Sequence, residues 1–445
     1  MTAPSEAPRA VGQMHNAYDP SKANALPAED RDLIARREAA LGAAYRLFYA
    51  QPLHPVRAEG VWMWDAQGNR YLDAYNNVAS VGHCHPRVVE ALAKQAAILN
   101  THTRYLHPLV VDYAERLLAT APEGLHNVML TCTGSEANDL AIRIARVATG
   151  GQGVIITRHA YHGVTDLLVG MSPSLGAGVP KGENVWLIDA PDPYGADPGG
   201  DFAAGVRAAV ADMQAQGVRP AALLVDTIFA SDGILPDPVG FLAPAVAAIR
   251  ETGGIFIADE VQPGFGRCGG MWGFDRHGVV PDIATMGKPM GNGHPMAGLM
   301  ARADLVTAFG KSVRYFNTFG GNPVSAAVGL AVLDVLRDEG LVENSASTGA
   351  YMAEGLAGLV DGDERLGPVR VAGLYAGVDL LDPQTGAPDG RLAAEVVNGL
   401  RQKGVLISAS GPAGNVLKIR PPLPFGREHA DILIDKLSET LEEIR

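Results

Sequence analysis

A lysine closing one apolar run, an aspartate closing another and a glycine-serine pair at a helix start are the residues of this 445-residue sequence best suited to chemistry. They are Lys288 in T-M-G-K-P-M-G, Asp259 in I-F-I-A-D-E-V-Q, and Gly134 and Ser135 in T-G-S-E-A-N. A lysine held between Gly287 and Pro289 in apolar surroundings gives up its proton and becomes a nucleophile able to form a Schiff base. The aspartate can keep a ring nitrogen protonated: at about 4 Å and an effective dielectric near 20, the attraction is about 4 kcal/mol. Thr133 and Glu136 have capping-box spacing, which leaves the backbone N–H groups of Gly134 and Ser135 free at a helix start. Such a terminus holds a phosphate, the dipole adding roughly 0.3–2 kcal/mol. A Schiff-base amine, a carboxylate for a pyridine nitrogen and a phosphate cradle are together the needs of pyridoxal 5′-phosphate.

These groups need rigid supports. The stretches L-L-V-D, I-F-I-A-D and D-I-A-T-M-G-K end in Asp226, Asp259 and Lys288. Apolar, β-branched runs with polar ends are how buried parallel strands look when their carboxyl ends open onto a site, and that edge is where open α/β sheets bind ligands. Asn127–Cys132 and Gly153–Thr157 add strands, and helices are predicted over Phe202–Gln216 and Gly240–Thr252. The helix after Thr133 should bury Ala137, Leu140, Ala141, Ile144 and Ala148. The alternation predicts an α/β fold, a mainly parallel sheet covered by helices on both faces.

Residues 1–27 read as a leader, and Pro27–Tyr49 as an amphipathic helix. Val61–Ala74 reads as a hairpin turning at Asp65, Gly68 and Asn69. A helix opened by Pro86 should carry Val89, Leu92 and Ala96 on one face, and another covers Leu109–Thr120. A long helix, Val324–Arg337, precedes a change of pattern: Val369–Leu380, Gly404–Ile407 and Val416–Arg420 read as antiparallel strands, with helices over Glu395–Lys403 and His429–Ile444. The expected units are residues 28–75 packing with a small domain, a large cofactor-binding domain at 76–325, and the small α+β domain at 326–445.

A formal net charge of −13 without a compensating basic run argues against a nucleic acid or an anionic membrane as partner. No apolar stretch is long enough to span a bilayer and the first ten residues lack a signal-peptide core, so a cytoplasmic location is expected. Cys84, Cys132 and Cys268, odd in number and scattered, suit a reducing compartment. His83, Cys84 and His85 are adjacent and without a partner cluster, so no metal is expected there.

At this point the chain resembles the class III aminotransferases within the fold type I pyridoxal-phosphate enzymes. The resemblance runs from Val61 to Phe425 through T-G-S-E-A-N, Tyr161–Gly163, D-E-V-Q, G-K-P-M-G-N-G and N-T-F-G-G-N-P. It implies phosphate binding by Gly134 and Ser135, stacking of Tyr161 on the pyridine ring, and Val261 and Gln262 against the other face and the 3′-oxygen. It also implies a homodimer with shared active sites, in which Thr318 reaches the neighbouring subunit's cofactor. Lys288 would carry the cofactor and then shuttle the substrate proton, a step typically worth roughly 10²–10⁴-fold.

Substrate residues are sparser. Arg420 in L-K-I-R-P-P-L stands where many family members bind a carboxylate, and a guanidinium also suits phosphate. Arg104 in N-T-H-T-R-Y-L-H is a second candidate. N-N-V-A-S-V-G-H-C-H-P and the Asn100–His107 segment look most like the subgroup with the phospho-lyases of ethanolamine phosphate and 5-phosphohydroxylysine. The 4-aminobutyrate and ornithine enzymes mask their arginine with a glutamate where this chain has T-I-F-A-S-D-G. The first expectation is an aminotransferase moving an amino group from an amino acid or ω-amine to a keto acid. A phospho-lyase is the alternative, and a cofactor-binding protein without turnover a third.

Overall fold

The computed structural model describes Met14 and residues 16–444. Of the expected leader, residues 1–13 and His15 lie outside the described residues. Ala17 bridges to Phe48, and the Tyr49 amide donates to the Asn16 carbonyl at 2.7 Å. The helix expected over Pro27–Tyr49 is shorter, Ala28–Leu41, ending at Gly42 with φ +74°. It buries none of its residues, so its apolar positions do not form a core face.

Strands β1 (Pro55–Glu59), β2 (Trp62–Asp65) and β3 (Arg70–Asp73) form an antiparallel meander. Its second turn is closed by Asp65, whose Oδ1 accepts from the amides of Gln67 and Asn69 at 3.0 and 2.8 Å. In the next helix, Pro86–Ala96, Val88 and Gln95 face inward and Val89 is exposed. The buried stripe therefore lies one residue earlier than the sequence reading placed it.

Seven strands build the central sheet: β4 (Asn127–Thr131), β5 (Gly153–Thr157), β6 (Val185–Ile188), β7 (Pro220–Asp226), β8 (Ile255–Asp259), β9 (Ile283–Met286) and β10 (Ala297–Ala301). Their spatial order is β4-β10-β9-β8-β7-β5-β6, with β10 alone running against the rest. Period-two alternation divides the side chains between two cores. Leu224 and Ile257 pack with Leu140 and Ile144 of the helix Gly134–Thr149, while Leu223, Val225 and Phe256 pack with Phe202, Val206 and Ile249 from helices on the other face. Each such aliphatic side chain, fully buried, contributes about 1.5–3 kcal/mol. The mainly parallel, doubly covered α/β sheet predicted from sequence is the observed one.

Past the helix Pro323–Asp338 comes one that sequence reading left out, Leu341–Val360. Its Gly, Ala and Ser residues dilute the apolar period, yet Met352 and Leu356 are buried in the main core. Strands β11 (Leu366–Ala372), β12 (Tyr375–Leu380), β13 (Val405–Leu406), β14 (Ser408–Ser410) and β15 (Val416–Ile419) follow. They form an antiparallel sheet ordered β11-β12-β15-β14, without β13. The expected antiparallel strand at Gly404–Ile407 instead yields β13, which runs parallel to β3 and ties the C-terminal region to the N-terminal meander. No described helix is long and apolar enough to cross a membrane.

Candidate active site

The carboxyl ends of β7, β8 and β9 open onto a cavity of ≈ 310 Å³. Gly134, Ser135, Tyr161, Asp259, Val261, Gln262 and Lys288 all line it, as does Asp226. Side chains 154 residues apart in the chain thus meet because adjacent parallel strands end at one level.

Lys288 opens the short 3₁₀ turn Lys288–Gly291 directly after β9. Burial, reinforced by the Arg420 charge, lowers its basicity, while Asp259 and Asp226 act the other way. Asp259 is buried at the end of β8 among donors. Its Oδ2 accepts from Asn138 Nδ2 at 2.8 Å and lies 2.8 Å from His162 Nδ1; its Oδ1 accepts from the Val261 amide at 3.1 Å. Asn138 is itself fixed by Thr285, whose hydroxyl donates to Asn138 Oδ1 at 2.6 Å. The Asn138 and Val261 donors, with the His162 ring beside them, hold the carboxylate aimed into the cavity. Glu260, on the opposite side of the strand end, accepts instead from the Thr227 hydroxyl and the amides of Gly273 and Phe274, a structural role.

The capping box is formed on both sides: Thr133 Oγ1 accepts from the Glu136 amide at 3.1 Å and Glu136 Oε2 from the Thr133 amide at 3.1 Å. The Gly134 and Ser135 amides remain at the helix start, on the cavity. A Cβ on Gly134 would stand 3.0 Å from Val261, and one on Gly163 2.7 Å from Ser135 Oγ. These two glycines let the strand end and the 159–165 loop close around the helix terminus, a cradle of the size and polarity a phosphate needs. Tyr161 is 37% exposed, free to lie against a bound ring.

Pyridoxal phosphate fits these residues, with an amine of lowered basicity, a carboxylate among donors and a phosphate cradle around one cavity. Together the fold and site define a pyridoxal-phosphate-dependent enzyme of fold type I. The model of the class-III aminotransferases matches residues 48–441, and the chain belongs to that family. It is 40% identical over 431 residues to the alanine–glyoxylate aminotransferase 2-like protein of Drosophila melanogaster, covering 93% of this chain and 87% of the fly protein. To ethanolamine-phosphate phospho-lyase homolog 1 of Caenorhabditis elegans it is 35% identical, covering 92% and 93%. Among solved structures, a phospholyase from Arthrobacter in complex with phosphoethanolamine superposes with a TM-score of 0.90 at 44% identity, covering 92% of this chain and 99% of that one.

The substrate candidates separate. Arg420 is 5% exposed behind Gln262, its Nη1 donating to Gln262 Oε1 and its Nε to the Tyr75 carbonyl at 3.2 Å. Arg104 does not line this cavity. Its guanidinium stacks 3.7 Å from the Phe316 ring centroid, beside a second cavity of ≈ 430 Å³ lined by Thr103, Leu130 and Tyr315. Thr318 is exposed on the loop next to that second cavity. His83 pairs with Asp73 at 2.6 Å and His85 with Glu339 at 2.9 Å, so their ring nitrogens turn to different acids.

Sequence reasoning passed over Asn138 and His162 although both stand inside quoted motifs. It also passed over Lys418, which shares a strand face with Arg420 by being two residues away, and Arg267, for which no local signal exists.

Proposed function

We propose that this chain is a phospho-lyase that eliminates inorganic phosphate from a phosphorylated amino alcohol. The observation that carries this reading is a group of cations behind the cavity that form no ion pair within 4.0 Å, the Asp226 charge acting on Lys418 and that of Asp73 on Arg267 only from further away. Arg267 is fully buried and bound only to neutral acceptors, the Asn77 amide oxygen and the carbonyls of Leu374 and Pro421. Arg420 is likewise held by neutral oxygens and by the faces of Tyr75 and Tyr375, at 5.1 and 5.6 Å. Lys418 Nζ lies 5.7 Å from the same Tyr375 ring. Among the described residues none of the three forms an ion pair within 4.0 Å.

Buried cations without close counter-ions are costly: burial and then the Arg420 charge bring Arg267 down to about 9 and lower Lys418 as well. A dianionic phosphate ester relieves more of that cost than a single carboxylate. The same charges then stabilise phosphate as it departs. No residue of Thr227–Gly233 masks Arg420; Asp232 turns to the Thr157 hydroxyl at 2.8 Å.

When bound, pyridoxal phosphate supplies a covalent link to the substrate amine and a ring that delocalises carbanion charge. Asp259 would hold the ring nitrogen protonated, and Gly134 and Ser135 would hold the cofactor phosphate. Lys288 would take the proton from the amine-bearing carbon. The electron pair of that C–H bond would form a C=C bond as the C–O bond to phosphate breaks with its own pair leaving on oxygen, and water would then release ammonia and the carbonyl product. No keto acid is consumed. The second reading, an aminotransferase, shares the proton abstraction and is supported by the fly relative's name.

Exposed Leu106, Tyr105, Ile98 and Phe319 support a homodimer, with Thr318 facing the partner's cofactor. Unpaired Cys84, Cys132 and Cys268 support a cytoplasmic setting.

The test is to incubate the holoenzyme with ethanolamine phosphate and assay phosphate and amino-group transfer separately. Phosphate release without a keto acid is expected, and Lys418→Met should lower kcat/KM for it about 10–100-fold, the worth of one charge-assisted hydrogen bond. Amino transfer to a keto acid without phosphate release would replace this reading with the aminotransferase.

A further inference from the structure

His294, in the stretch G-K-P-M-G-N-G-H-P, lines the same cavity as Gly134, Ser135 and Lys288. Its backbone is pinned there. The His294 amide donates to the Gly291 carbonyl at 2.9 Å. Asn292 beside it is held at both ends of its side chain, Oδ1 accepting from the Val81 amide at 3.0 Å and Nδ2 donating to the Gly82 carbonyl at 2.9 Å. The imidazole is pinned as well, its Nε2 lying 2.8 Å from the hydroxyl of Ser325 in the first turn of the helix Pro323–Asp338.

The network around Ser325 decides which ring nitrogen carries hydrogen. The Asn322 amide has one possible orientation, because its Oδ1 accepts from the Ser325 amide at 2.9 Å while its Nδ2 donates to the Phe319 carbonyl at 2.7 Å. Nδ2 therefore also donates to Ser325 Oγ at 2.8 Å. The hydrogen of that buried hydroxyl is left with one acceptor among the described residues, His294 Nε2. The opposite tautomer would leave the hydroxyl hydrogen buried and unpaired, which native structures avoid. With Nε2 accepting, the neutral ring carries its hydrogen on Nδ1. Burial lowers the basicity of His294, which favours that neutral form. Nδ1 itself has no hydrogen-bond partner among the described residues.

A donor on a cavity wall without an acceptor of its own is satisfied by one on the ligand. We propose that His294 is a binding residue for a phosphate monoester in this cavity, donating to a phosphate oxygen from Nδ1. Two molecules bring that group here: pyridoxal phosphate and, resting on the phospho-lyase reading, the substrate.

Holoenzyme labelled with ¹⁵N-histidine, its His294 signal assigned through loss in His294→Gln, should show the Nδ1–H tautomer; the Nε2–H form would overturn the proposal. His294→Gln keeps an acceptor for Ser325 but places nothing at Nδ1, whereas the amide of His294→Asn can stand where Nδ1 stood. Two readouts tell the phosphates apart: the rate at which diluted holoenzyme loses the visible absorbance of its lysine-bound cofactor, and KM for ethanolamine phosphate. If the cofactor's phosphate is the acceptor, His294→Gln should speed that loss about 10–100-fold, the worth of one hydrogen bond to a charged group. If the substrate's is, the same variant should raise KM by that factor and keep its absorbance. In either case His294→Asn should recover most of the change. A wild-type rate of loss together with a wild-type KM in His294→Gln would overturn the proposal. Should the wild type release no phosphate at all, the phospho-lyase reading fails by itself, and the dilution experiment alone decides the role of His294.

Discussion

The Lys288 amine loses basicity through where it is held. Burial and the nearby Arg420 charge both favour its neutral form, and the two aspartates at the neighbouring strand ends keep the effect from running further. Asp226 feels the reverse influence: burial and the Asp259 charge push its carboxyl up to about 6, while the Ile228 and Ala230 amides and the Lys418 charge oppose this. Reduction of the holoenzyme with borohydride should fix the cofactor to one peptide, the one containing Lys288. Lys288→Ala should yield a folded protein with no label and with turnover lowered by at least about 10²–10⁴-fold, the worth of a positioned base. Label on another lysine in wild type would end the assignment of Lys288.

Among the elements, the 3₁₀ turn Gly273–His277 shows how a buried side chain couples local structure to pH. His277 Nε2 donates to the Thr227 carbonyl at 2.9 Å, and its ring lies edge-on to Phe241 at 4.6 Å. Burial depresses its pKa from 6.5 to about 4. The unfolded chain therefore takes up this proton first, and the sign follows: the contribution is complete above about pH 6.5 and is lost as pH falls towards about 4. The slope reaches about 1.4 kcal/mol per pH unit. Denaturant titrations between pH 7 and 4 should show a shallower acid decline in His277→Gln, whose amide can still donate to Thr227. Parallel declines would mean that other groups control acid stability. The helix Gly134–Thr149 depends on its cap in the same local way, and its terminus serves both the fold and the cavity.

At the scale of the molecule, Thr318 does not line the cavity, and its loop borders the second one instead. Leu106 is fully exposed and Phe319 69% exposed, an apolar surface that a second copy would cover. Sedimentation should give a dimer at micromolar concentration. Leu106→Asp should weaken it and lower cofactor occupancy in proportion, because Thr318 would be withdrawn from the partner's site; a fully loaded, active monomer would refute shared sites.

The linear sequence by itself determined which local elements form and where chemistry collects on them. Runs ending in Asp226, Asp259 and Lys288, a threonine and glutamate three apart, and period-two and helical patterns are all local signals, and the strands and the capped helix follow from them. Only the tertiary structure decided what depends on approach between distant segments. It set β10 antiparallel between β4 and β9, paired β13 with β3 rather than with its neighbours in sequence, and buried the small-residue helix Leu341–Val360. It gathered Lys418 and Arg420 against Tyr375, with Arg267 close by, behind Gln262. Such pairings are selected by the free energy of burying whole faces together, a quantity that no short window of residues contains.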